Sequence, residues 1–164
     1  MRRLLPTLAV LGAIAAQPAL AQKHCAAPAD QAVFEVQALR SRLTVLATGC
    51  AETDRYGAVI RKYQPDLQAN AAALANWFKR RYGGRGQFEQ DRYITDLTNA
   101  VSSGAVALGG DFCGHDGLIF AEVMALRSGA DLAPYAAAKD LIPASMEACP
   151  GQPNTPARPA AARK

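Results

Sequence analysis

Residues 30–50 read DQAVFEVQALRSRLTVLATGC, and the spacing of their apolar side chains decides the fold class. Ala32, Val36, Leu39, Leu43, Leu46 and Cys50 recur at intervals of four and three. That repeat lines side chains up on one face of an α-helix. Arg40 and Arg42 fall on the opposite face. Asp30 is expected as the N-cap, because its carboxylate can accept from first-turn N–H groups that have no helical partner. Gly49 is expected as the stop.

Working outward toward the C-terminus, the same period continues. A second helix is expected from Thr53, with Asp54 in its first turn and Tyr56, Ile60, Tyr63, Leu67, Ala71, Leu74 and Phe78 as its stripe. Pro65 interrupts it, since proline lacks an N–H and restricts the residue before it. The stripe keeps its phase across Pro65, so the expectation is one long kinked helix, with two abutting helices the close alternative. Gly83-Gly84-Arg85-Gly86 reads as a turn. A third helix is expected from Phe88 to Leu108, with Ile94, Leu97, Val101, Ala105 and Leu108 inward. Gly104 lies on that stripe, where a missing side chain would permit close helix approach. After Gly109-Gly110 a fourth helix starts at Asp111 and carries Phe112, Ile119, Val123 and Leu126. A short fifth lies near Leu132–Ala138. No strand pattern and no internal repeat is present. The sequence therefore predicts an all-α, up-and-down four-helix bundle with a kinked second helix, a short fifth helix and two disulfides.

Toward the N-terminus the chain reads as an export signal. Met1-Arg2-Arg3 supplies the positive start and Leu4 to Ala16 the apolar run. Gln17-Pro18-Ala19-Leu20-Ala21 supplies a small-x-small cleavage site. A membrane-spanning helix needs about 20 apolar residues, and Gln17 and Pro18 cut this run short. Three segments are expected: a signal peptide over 1–21, a helical domain over 22–149, and a disordered Pro-, Ala- and Arg-rich tail over 150–164. The mature domain would be periplasmic or secreted, with no transmembrane segment after cleavage.

Four cysteines, Cys25, Cys50, Cys113 and Cys149, follow that signal. An even number in an exported chain implies disulfides. A helix over 30–48 is roughly 28 Å long at 1.5 Å per residue, whereas bridged Cα atoms lie within about 7 Å. Cys25 and Cys50 therefore cannot pair with each other. Short connections run the helices up and down, which places Cys113 beside Cys50 and leaves Cys149 to meet Cys25 at the other end. Each bridge closes a long loop, worth roughly 3–4 kcal/mol in the chain-entropy treatment. Cysteines used this way are neither nucleophiles nor metal ligands. Neither Cys-x-x-Cys nor Cys-x-x-Cys-His occurs.

The formal charge of +4 argues for no nucleic-acid partner. Without Arg2, Arg3 and the tail's Arg158, Arg163 and Lys164, the remainder is slightly acidic. Its distribution is lopsided. Eight basic and three acidic residues lie between Arg55 and Arg92, against two basic and seven acidic between Tyr93 and Cys149.

Catalytic constellations are sparse. His24 and His115 are the only histidines, and no Gly-x-Ser-x-Gly, His-Glu-x-x-His or P-loop pattern occurs. Asp111, His115 and Asp116 could gather a metal or a proton, but read better as an acidic, solvated first helical turn. Haem is not expected, because no His or Met in the first three helices could face His115 or Met124. Cleavage after Ala21 would leave Gln22, Lys23 and His24. Their amine, two amides and imidazole form a square-planar nitrogen set for Cu(II) or Ni(II). The other candidate is the run Trp77 to Arg85. Lys79, Arg80, Arg81 and Arg85 cluster there, either to grip an acidic protein or anionic envelope component, or to satisfy a helix end. In general type the chain resembles small exported bacterial helical proteins such as periplasmic inhibitors, immunity proteins and acid-stress chaperones, with no motif that carries a residue over. The expected function is non-catalytic binding, with N-terminal copper handling as the first alternative and an enzyme of unknown type as the second.

Overall fold

Helix forms wherever the apolar repeat runs, because that period alone puts the large side chains on a shared face. The computed structural model describes residues 26–109 and 111–142. Its α-helices are α1 (Pro28–Gly49), α2 (Thr53–Lys62), α3 (Gln64–Tyr82), α4 (Gly86–Leu108), α5 (Asp111–Asp116), α6 (Leu118–Ala125) and α7 (Leu132–Ala138). Short 3-10 turns occupy Gly83–Arg85 and Gly129–Asp131. No strand occurs among the described residues. Since α2 abuts α3 and α5 abuts α6, these elements form five helical rods rather than a clear four-helix bundle.

The rods gather around α1, which packs on α2, α3, α4, α5 and α7. Phe34, Glu35, Val36, Gln37, Ala38 and Leu39 are consecutive and all buried. Six successive residues face every direction around a helix of 3.6 residues per turn. The single stripe expected for α1 is thus corrected. Ala32 is exposed, while Phe34 and Ala38, outside that stripe, are fully buried. The second face of α1 is built from Phe34, Ala38 and Ser41. The short α7 is likewise no appendage. Its Leu132 and Ala136 are buried in the main core with Leu39, Leu46 and Val123.

Both ends of α1 differ from expectation. The helix begins at Pro28, which the first turn tolerates because its missing N–H had no helical partner. Ala27 is the N-cap without a side-chain cap bond, and Asp30 lies inside the first turn instead. At the other end Gly49 is still helical. Ala51 takes the left-handed conformation (φ 56°), and the Glu52 N–H closes onto the Ala47 carbonyl at 3.0 Å. This is the Schellman closure, here with alanine where glycine is usual.

The second rod is two helices, not one kinked helix. The break falls at Tyr63 (φ −111°, ψ 21°), so Pro65 sits in the first turn of α3, where it costs little. The expected fourth helix is also split, at Gly117. The α4 stripe is Tyr93, Leu97 and Val101, with Leu108 exposed. Gly104 permits no close approach: a Cβ there would meet nothing within 4 Å. Cys50 and Cys113 are bonded, with Cα atoms 5.6 Å apart. Cys25 and Cys149, the signal peptide and the tail lie outside the described residues. No described helix is long and apolar enough to cross a membrane.

Candidate functional site: the basic end of α3

Four basic residues lie where α3 ends and in the turn after it, and the aromatic residues among them fix that end in place. Trp77 and Phe78 are buried. Phe34 on α1 meets Trp77 edge-on, with ring centroids 4.9 Å apart, and meets Tyr93 on α4 at 5.5 Å. Phe78 stacks on Tyr82 at 5.9 Å. Such pairs add stability beyond their buried area. The aromatic half of the Trp77–Tyr82 run therefore belongs mainly to the core, and only the charges are left to face solvent.

Two glycines shape the turn that follows. Gly83 takes φ 57°, a conformation that side chains disfavour, and ends α3. Gly86 opens α4 against the last turn of α3, where a Cβ would lie 2.8 Å from the Lys79 Cα. No residue with a side chain fits there without moving backbone. The sequence marked this stretch only as a turn. The structural signal is the missing side chain at Gly86, which lets the start of α4 close onto Lys79.

The four cations are not equivalent. Arg80 pairs with Asp30 in the first turn of α1 at 3.4 Å. Arg85 pairs with Glu89 one helical turn on. Lys79 and Arg81 are exposed, and neither forms an ion pair among the described residues. The uncompensated charge is thus two, not four. The Arg80–Asp30 pair also places this end at the start of α1, while Cys50 follows its last turn. Twenty residues at 1.5 Å each separate the basic end from the disulfide by about 30 Å.

The other candidates separate. His115 is exposed, with Nδ1 3.3 Å from the Asp116 carboxylate. Asp116 is itself paired with Arg42, which also lies over the Phe112 ring at 5.4 Å. Arg42, expected on the solvent face, is half-buried by that role. No group of three His, Cys, Asp or Glu side chains that could hold a metal gathers among the described residues. Gln22, Lys23 and His24 lie outside them.

Sequence reasoning missed one polar group altogether. Glu35 is buried between Phe34 and Val36, and accepts from the Gln31 amide at 3.3 Å. Its other oxygen, Oε2, and the buried Tyr93 hydroxyl have no hydrogen-bond partner among the described residues. Burial pushes the Glu35 carboxyl above the ordinary carboxylate range, and Asp140 adds to that; the Gln31 bond opposes it. Burial, and then the Glu35 charge, pushes the Tyr93 phenol above its ordinary value. Glu35 had no readable signal, since a lone acid in an amphipathic stretch is normally solvated.

No protein-family model matches this chain, and neither a curated protein nor a solved structure shows significant similarity to it.

Proposed function

We propose that this chain is an exported, periplasmic helical protein that works by binding rather than catalysis, and that it recognises an acidic protein or anionic envelope component through the basic end of α3. The observation that carries this reading is Lys79 and Arg81, exposed and without ion-pair partners among the described residues, in the last turn of an α3 packed through Gly86 and the Phe34–Trp77–Tyr93 cluster. A helix C-terminus favours cations on its own. It does not by itself require two cations left without carboxylate partners in its last turn. Because the aromatic side chains pack into the core, recognition would be electrostatic rather than insertive, and screened over about 8–10 Å at ordinary ionic strength.

Immobilised poly-glutamate and phosphatidylglycerol vesicles are suitable probes. The K79Q/R81Q variant should bind whichever probe the parent binds more weakly, with a flatter salt dependence, while its unfolding midpoint stays that of the parent, because exposed charges contribute little to stability. Equal binding by variant and parent at low salt would reduce the cluster to a solvated helix end.

A second reading rests on the sequence alone: Cu(II) or Ni(II) held at a mature N-terminus by Gln22, Lys23 and His24. A host whose copper tolerance and envelope copper content are unchanged by His24→Ala would remove it.

A further inference from the structure

We propose that the groove where α1 faces the α2–α3 junction binds a small carboxylic acid with an apolar tail, its carboxylate held by Arg40. This site is separate from the basic end of α3 and does not depend on it. The groove is a depression of about 330 Å³ lined by Arg40, Ile60, Gln64, Leu67, Gln68 and Ala71. Small-ligand sites begin at roughly that size. Its composition is one cation, two neutral amides and three apolar side chains. That set complements a molecule with one anionic end and a hydrocarbon body.

Arg40 is the only cation that lines the groove. Arg42, Arg55, Arg80, Arg85 and Arg92 each pair with a carboxylate. Arg40 is exposed, and its guanidinium has no carboxylate partner among the described residues. The acid in the first turn of α3, Asp66, does not line the groove; its carboxylate lies against Gly129, where a Cβ would overlap it. Gln64 and Gln68 add amide donors without charge, one turn apart on the α3 face of the groove.

The wall is fixed and its floor has slack. Tyr63, at the break between α2 and α3, donates its hydroxyl to the Val123 carbonyl at 2.8 Å, so the angle that opens the groove is pinned to α6. Under Ile60 and Leu67 lies a void of about 10 Å³ bordered by Val36, Leu43, Tyr56 and Leu132. A pocket of that size holds at most one water. A tail pressed between Ile60 and Leu67 can therefore be accommodated by small side-chain shifts. Length selects the ligand class. From Gln64 to Ala71 the α3 wall runs about 10 Å at 1.5 Å per residue, which suits a medium-chain acyl group and is short for an extended peptide.

Titrating the ¹⁵N-labelled protein with octanoate, acetate and octanol tests this directly. Octanoate should shift amides around Arg40 and across residues 60–71. Acetate, lacking the tail, and octanol, lacking the charge, should bind at least about tenfold more weakly. Arg40→Gln should weaken octanoate by about tenfold or more, the effect of losing one charge-assisted hydrogen bond. Lys79→Gln should leave octanoate binding unchanged, which separates this site from the basic end. No octanoate shifts in the groove, equal shifts from acetate, equal binding of octanol, or an Arg40→Gln variant as tight as the parent would each overturn the proposal.

Discussion

Tyr63 donates its hydroxyl to the Val123 carbonyl oxygen at 2.8 Å, joining the break in the second rod to the last turn of α6. The hydroxyl also lies 3.1 Å from the Leu126 carbonyl, and Lys62 reaches the Met124 and Leu126 carbonyls at 2.6 and 2.9 Å. The final carbonyls of a helix have no partners within it. Here two side chains from the α2–α3 junction supply them. The break therefore falls where it can cap another helix, and Pro65 takes the harmless first-turn position.

Tyr63→Phe isolates that bond. Tyr63 is 2 % exposed, so the ring stays packed while the carbonyls lose a buried donor. A loss of about 1–3 kcal/mol is expected by urea denaturation. Lys62→Ala, at an exposed position, should cost under about 1 kcal/mol. Equal losses would mean that Lys62 shares the capping role.

The glycines give opposite expectations for one chemical change. Gly86→Ala forces a Cβ against the Lys79 backbone, and overpacking of this kind costs about 1–3 kcal/mol. Gly104→Ala puts a Cβ into open space within α4, four residues before its end, so it should stabilise by roughly 0.5–1 kcal/mol. Thermal unfolding of the two variants decides both signs.

The helices were legible because Leu39, Leu43 and Leu46, or Leu97 and Val101, carry a period that survives without knowledge of neighbours. What surrounds a helix leaves a weaker trace. The burial of α1 all round over 34–39 depends on Gln37 and Ala38, residues that read equally well as a solvated face. The basic run was legible as charge. Its partial neutralisation by Asp30 was not, because the two partners are fifty residues apart in the chain. The Cys50–Cys113 bond followed from rod lengths, which are set by rise per residue and need no side-chain detail. Arg40 stood out only once it could be seen to line the groove without a carboxylate partner among the described residues.

Glu35 ties stability to pH. Its folded pKa is raised by burial and by Asp140. A carboxyl raised on folding contributes stability that is complete below its unfolded pKa and lost as pH rises through its folded pKa. Glu35→Gln keeps the shape and removes the charge. The variant should be more stable than the parent at pH 7, with the gap narrowing as pH falls toward the ordinary carboxylate range. Urea midpoints at pH 7 and pH 4 read this out. A gap that widens in acid would mean the ionised carboxylate is held by the fold rather than opposed by it.

The bridge near the end of α1 restrains the shortest described helix. Cys50 and Cys113 are separated by 63 residues, and closing a loop of that length is worth about 4 kcal/mol in the chain-entropy treatment. Besides the bridge, α5 is held by the buried Phe112 ring and by the Arg42–Asp116 pair. The C50S/C113S variant should lose roughly 2–4 kcal/mol globally, with native-state strain and residual unfolded structure setting the lower end. Its first loss should be local. Amide exchange at 111–116 should accelerate before α1 or α4 responds, because those helices keep their core contacts. Peptide mapping of the oxidised protein without reductant completes the argument. A Cys50–Cys113 peptide is expected, and a Cys25–Cys149 peptide if the nested pairing extends to the opposite end. A Cys25–Cys50 peptide would require α1 to be broken. Its 22 residues and enclosed middle put those ends about 30 Å apart, far beyond what a disulfide spans.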